Sequence, residues 1–275
     1  MISLIEVDVP IGRFSVTVRV KMFRSWRRFA VSVKCIVQTL TTRNTICGGF
    51  MPDKPIPEWE LLLSSAAHLQ KIISGAVLVG GTATATYAHH PISIDHDHVL
   101  PDLRERFDAI LSDLESVAGW QTARIRRPVL ILGSLDGIET GIRQLIRSEP
   151  LETTEIEAEG VRLTVPTKAE MFRIKAVLAL KRNATRDYLD LAAMSAILGD
   201  DGIREALAKF DDYYPQPNGA SPLQQLANQL ANPLPYDLDE TDLTQYKHLD
   251  IRYQDWNHVC DICMHIAVAV IHPML

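Results

Sequence analysis

Apolar and polar positions along this chain repeat on two different periods, and the period changes from segment to segment. After Pro57, residues Trp59, Leu62, Leu63, Ala66, Leu69, Ile72 and Ile73 recur every three or four positions until Gly75. This predicts a helix with proline in its first turn and glycine as its stop. Ala76 to Val79 reads as a short buried strand, Gly80-Gly81 as a turn, Thr82 to His89 as a short helix, and Ile92 to Leu100 as an alternating strand. A helix is predicted over 101–117, a short strand over 129–132, and a hairpin over 153–165 whose arms meet through Glu159-Gly160. Helices follow over 168–182, 186–198, 202–210, 222–231 and 253–272, with a link rich in Pro, Asn and Asp between Tyr214 and Pro222. Strands gathered early and helices late predict an α+β fold, a small mixed sheet followed by a mainly helical C-terminal region.

Residues 1–50 stand apart. Arg13 to Leu40 mixes β-branched residues with Arg19, Lys21, Arg24, Arg27, Arg28 and Lys34, and is read as having no clean helical or strand period. The expected organisation is a basic leader over 1–50, a core over 51–166 and a helical region over 167–275. Met51 is an expected alternative start, which leaves the leader outside the fold. Charge sharpens the contrast: the leader holds eight Lys/Arg against Glu6 and Asp8, a net of +6, whereas the rest holds 20 against 32, a net of −12. So acidic a body is a poor generic binder of phosphate backbones, and any nucleotide contact must come from local cations and metal ions.

Composition adds little: 275 residues, 47% hydrophobic and 23% charged, are those of an ordinary globular protein and exclude collagen and wholesale disorder. Four Cys do not make a disulfide framework. No apolar run reaches the length of a membrane span, and no secretory signal is apparent, so no membrane and a cytoplasmic location are expected.

Candidate chemistry begins at Asp95 and Asp97. At i and i+2 in a strand their carboxylates emerge on one face, where they repel unless a cation lies between them. Mg²⁺ is commonly held by one or two carboxylates plus substrate phosphates, so the pair suits phosphoryl or nucleotidyl transfer. By itself it also suits a solvated strand face. Fifteen residues upstream a strand ends in Gly80-Gly81-Thr82 and opens a helix, where glycine permits close approach of phosphate and the helix N-terminus offers N–H donors. The order strand, Gly-Gly-Thr, helix, Asp-x-Asp strand sets a phosphate cradle beside a metal pair.

These pieces resemble the nucleotidyltransferase superfamily, and within it the AbiEii-like family of toxins from toxin–antitoxin and phage-defence systems. The resemblance rests on Val79-Gly80-Gly81-Thr82-Ala83, on Ser93-Ile94-Asp95-His96-Asp97, and on a helix carrying Lys175 and Arg182 that runs into Arg186-Asp187-Tyr188-Leu189-Asp190. It spans roughly residues 56 to 198. It implies a nucleotidyltransferase-type core in which Asp95 and Asp97 bind Mg²⁺, Gly80, Gly81, Thr82, Ser93, Lys175 and Arg186 bind an NTP, and Asp95, Asp97, Lys175 and Asp190 are catalytic, with Asp187 the second choice after Asp190. It implies transfer of a nucleoside monophosphate to an RNA, a tRNA 3′ end for instance, or to a protein hydroxyl, and a cognate antitoxin protein as partner. His89 and His90 stand where the family usually has Arg, and Glu155 or Glu157 is the candidate third metal carboxylate.

Other readings compete on particular residues. Lys175 also fits a snorkelling lysine, and Arg186 with Asp190 an i, i+4 ion pair. His89, His90, His96 and His98 beside the aspartates raise a second enzyme class, a metal-dependent hydrolase. A third reading is a catalytically silent nucleotide-binding protein of the same fold. Cys260-x-x-Cys263 with His258 and His265 lacks a second Cys pair and reads as core cysteines on a helix.

Overall fold

The computed structural model describes residues 2–11, 14–23, 58–88, 94–246 and 249–271. The chain forms two compact units, Met1–Lys54 and Pro55–Leu275. In the first, strands β1 (Ile2–Ile11) and β2 (Phe14–Phe23) pair antiparallel, from Ile2 opposite Phe23 to Ile11 opposite Phe14. Over Phe14–Phe23 this corrects the reading of Arg13 to Leu40 as aperiodic; residues 24–40 lie outside the described residues. Phe14, Val16, Val18, Val20 and Met22 alternate with Ser15, Thr17, Arg19 and Lys21, a period of two that the many cations obscured.

The second unit has the expected α+β architecture, a mixed sheet followed by a helical region. Helix α1 (Trp59–Ile72) leads into β3 (Val77–Val79), α2 (Gly80–Ala88), β4 (Asp95–Leu100) and α3 (Leu103–Glu115). Three strands follow, β5 (Trp120–Arg126), β6 (Leu130–Leu135) and β7 (Ile138–Gln144), where the hydrophobic pattern predicts one. The sheet order is β3-β4-β7-β6-β5, with β4 and β7 parallel and the other neighbours antiparallel. The turn joining β6 to β7 is Asp136-Gly137 with both residues at positive φ, the backbone that a two-residue hairpin requires. One face of this sheet buries Leu100, Ile131, Leu135 and Ile142 against Leu69 of α1, Ile73 just beyond it, and Phe107, Ile110 and Leu114 of α3.

Strands β8 (Thr153–Ala158) and β9 (Val161–Pro166) form a separate hairpin through Glu159-Gly160. Helix α4 (Lys168–Arg182) begins where predicted because Thr167 caps it, its hydroxyl accepting from the Glu170 N–H, and ends at Asn183 in the left-handed conformation. Helix α5 (Thr185–Leu207) is broken at Gly199, whose φ of 64° is not helical, so the two predicted helices meet at that kink. Short α6 (Phe210–Tyr213), α7 (Pro222–Leu230) and α8 (Trp256–Ile271) complete the unit. A second core joins Leu63, Leu78, Ala83, Leu163 and Val165 to Phe172, Tyr188, Met194 and Ile266, so α4, α5 and α8 share one core with α1, α2, β3 and β9. Among the described residues no helix is long and apolar enough to cross a membrane.

Candidate functional site

Strand alternation decides what β4 offers to its two sides. His96, His98 and Leu100 are buried, while Asp95, Asp97 and Val99 line a cavity of about 1040 Å³. Two glycines frame Asp97. Gly80 opens α2 at φ +78°, a conformation that side chains resist, and a Cβ there would lie 3.7 Å from the Asp97 carboxylate. Gly141 sits opposite Asp97 on β7, and a Cβ there would overlap the Asp97 Oδ1 atom. Arg143, two residues further along β7, brings its Nε to 3.3 Å from that oxygen.

The N-terminus of α2 is tied to β4 by Thr82, and Thr84 braces the turn from within. Thr82 donates to the Asp95 carbonyl at 2.5 Å and Thr84 donates to the Gly80 carbonyl at 2.8 Å. Gly80 and Gly81 therefore line the cavity beside the aspartates, in a first helical turn whose N–H groups have no intrahelical acceptor. The expectation for Thr82 changes: it is 1% exposed and its hydroxyl is used by the strand, so the side chain anchors the cradle and does not face the cavity.

Helices α4 and α5 build another wall. Lys175, with its side chain only 3% exposed, donates to Asp190 Oδ2 at 2.7 Å, and both residues line the cavity. The predicted intrahelical alternative for Asp190 is replaced by this interhelical pair, and Arg186 stands exposed on the same wall. Arg182 reaches the cavity too, but its guanidinium pairs with the fully buried Asp187. Asp187 thus anchors α5 to the end of α4, whereas Asp190 reaches the cavity. Tyr246 closes this side: burial raises its phenol above the ordinary value, Asp190 adds to the shift and Arg186 opposes it.

The remaining candidates lie elsewhere. Ser93, His89 and His90 fall outside the described residues. Glu155 is exposed and pairs with Arg162 within the β8–β9 hairpin, and neither it nor Glu157 lines the cavity. His96 and His98 point away from the aspartates, which removes them from the hydrolase cluster. His96 Nε2 lies 3.0 Å from Ser65 Oγ and 3.1 Å from Thr140 Oγ1. Those hydroxyls donate to the carbonyls of Leu135 and Ile138, so the ring nitrogen is the donor to both. Burial lowers the His96 pKa to about 4, with Asp95 opposing, and burial holds His98 well below its ordinary value. Cys263 is buried on α8, where burial pushes its thiol up to about 12, and no group of three His, Cys, Asp or Glu able to hold a metal occurs among the described residues.

Arg143 and Gly141 are site residues that the sequence reading missed. The signal that reveals them is Asp136-Gly137, which marks a hairpin whose second arm carries both.

No family model matches the chain. Over 128 residues, 46% of the chain, it is 34% identical to the heme uptake protein MmpL11 of Mycobacterium tuberculosis. It is 31% identical over 128 residues to the mycolic acid-containing lipids exporter MmpL11 of Mycolicibacterium smegmatis. The chain spans about an eighth of the length of these curated relatives, 13% in each case. Two solved structures are similar to it. An antigenic nucleotidyltransferase-like protein from Paracoccidioides brasiliensis matches with a TM-score of 0.41 and 16% identity, over 59% of this chain and 92% of that one. A candidate nucleotidyltransferase from H. pylori matches with a TM-score of 0.43 and 14% identity, over 76% and 91%.

Proposed function

We propose that this chain is a nucleotidyltransferase that moves a nucleoside monophosphate from an NTP to an acceptor hydroxyl. The observation that carries the proposal is convergence: Gly80-Gly81, Asp95, Asp97, Lys175, Arg186 and Asp190, drawn from four elements and 111 positions of sequence, line one cavity. A site with both a carboxylate platform and a cationic wall suits a substrate that arrives as a metal-complexed polyphosphate.

The donor set fits Mg²⁺ in the way a nucleotide-dependent site requires. Asp95 and Asp97 are two carboxylate ligands on one strand face, with no third protein ligand among the described residues, which matches an ion completed by substrate phosphates and water. Bound there, the ion supplies charge neutralisation for the phosphates. The first turn of α2 donates N–H groups to phosphate oxygens, and Thr82 keeps that turn in register with Asp95. Lys175 is held by Asp190 at one fixed position on the wall, so its ammonium meets the polyphosphate without a search through rotamers. The acceptor hydroxyl attacks the α-phosphorus and gives up its proton to water, the bond from that phosphorus to the α–β bridging oxygen breaks, and pyrophosphate leaves with the negative charge that Lys175 and Arg186 face.

The family resemblance of the motifs extends the proposal to an RNA acceptor, a tRNA 3′ end among them, or a protein hydroxyl, and to a toxin restrained by a cognate antitoxin. Incubating the purified protein with each labelled NTP, Mg²⁺ and either total RNA or protein tests this reading. Label transfer that disappears in Asp95→Asn and Asp97→Asn supports it. Binding of all four NTPs without transfer to any acceptor favours a silent nucleotide-binding protein instead.

A further inference from the structure

Arg143 occupies a place that a metal platform does not by itself need. The parallel register sets Asp95, Asp97 and Val99 opposite Glu139, Gly141 and Arg143. With no side chain at Gly141, the Asp97 carboxylate leans across β7 and meets the Arg143 guanidinium at 3.3 Å, longer than the roughly 2.7–2.9 Å of a tight charge-assisted bond. The two side chains are 48% and 30% exposed, and Arg143 lines the same cavity as Lys175 and Arg186. A guanidinium on Asp97 Oδ1 competes with a divalent cation for that oxygen. A pair so exposed is weak enough to be displaced, with a worth in binding of about two- to fivefold.

We propose that Arg143 is an exchangeable counter-ion of the platform: it holds Asp97 in the absence of metal, yields the oxygen to a divalent cation, and then donates to the phosphates that arrive with that cation. The proposal rests on the nucleotidyltransferase reading above. It makes Arg143 a substrate-positioning residue, with Gly141 providing the lane through which it reaches both partners. A guanidinium that merely props Asp97 in place has the opposite signature, because its removal weakens metal binding.

The test uses the full chain and two probes, Mn²⁺ alone followed by electron paramagnetic resonance of the free ion, and inorganic tripolyphosphate added to the Mn²⁺-loaded protein followed by calorimetry. Arg143→Gln is expected to bind Mn²⁺ about two- to fivefold more tightly than wild type and tripolyphosphate at least about threefold more weakly. Arg143→Lys, which keeps the charge, is expected to restore both values toward wild type. Mn²⁺ affinity that is unchanged or weaker in Arg143→Gln overturns the counter-ion, and unchanged tripolyphosphate affinity overturns its transfer to phosphate. Asp97→Asn separates the two levels of argument. Wild type that binds no Mn²⁺, or Mn²⁺ retained in Asp97→Asn, removes the platform itself and the proposal with it, whereas failure confined to the Arg143 variants leaves the platform standing.

Discussion

Gly141→Ala changes one hydrogen to a methyl group and should disable the site while leaving the fold intact. The added Cβ would overlap Asp97 Oδ1 and come within 3.3 Å of its Cγ and 3.4 Å of Leu132 Cδ2. To restore ordinary contact the carboxylate oxygen must retreat by well over ~1 Å. Asp97 is 30% exposed and can swing outward, so the backbone need not move and the cost in folding stability should stay within about 1 kcal/mol. A displacement of this size in a group that positions the reacting phosphate costs on the order of 100-fold in rate, about 2.7 kcal/mol. Steady-state label transfer from NTP, with thermal unfolding monitored by circular dichroism on the same preparations, measures both quantities. Transfer within threefold of wild type at unchanged melting temperature would refute the placement of Asp97 in the reaction.

Other expectations follow from the same geometry. Lys175→Met should lower kcat/KM by at least about 30-fold, or 2 kcal/mol, and also destabilise the protein, because Asp190 loses its partner; the double variant with Asp190→Asn should recover stability but not activity in a thermal and kinetic cycle. Thr82→Val should lower stability by about 1–2 kcal/mol through loss of the bond to the Asp95 carbonyl, whereas a hydroxyl that contacts phosphate directly would raise KM at constant melting temperature. Stability should fall as pH drops below about 6.5 and go on falling toward pH 4. There the unfolded chain takes up a proton on His96 that the folded protein refuses, a linkage of roughly 3 kcal/mol over that window, and His98 acts in the same direction. Denaturant midpoints for wild type and His96→Gln across that range check the assignment, the variant being expected to show a shallower decline.

The parts of the site that the sequence reveals are those whose chemistry coincides with a local period. Asp95 and Asp97 share a face because strands alternate, and α4 starts at Lys168 because the Thr167 hydroxyl accepts from the Glu170 N–H. The same alternation assigns His96 and His98 to the opposite face, so grouping the four histidines with the aspartates contradicted the period already in use. Arg143 and Gly141 were hidden because polar Thr140 stands between Ile138 and Ile142 on the inward face and leaves too short an apolar series to read, and β5 is exposed after Trp120 and has no apolar face to read. The partner of Asp190 lies 15 residues away on another helix, where the i, i+4 rule gives no information. Over Phe14–Phe23 the cations hid an ordinary strand period.

In the proposed reaction the bond broken in the substrate is the one between the α-phosphorus and the α–β bridging oxygen. Parallel reactions with NTP labelled at the α- or the γ-phosphate, in Mg²⁺ and with an RNA or protein acceptor, test it directly. The expected result is acceptor labelled from the α-position only, with one pyrophosphate released for each transfer and neither product formed by Asp95→Asn. Label arriving from the γ-position, or transfer that persists in Asp95→Asn, would contradict it.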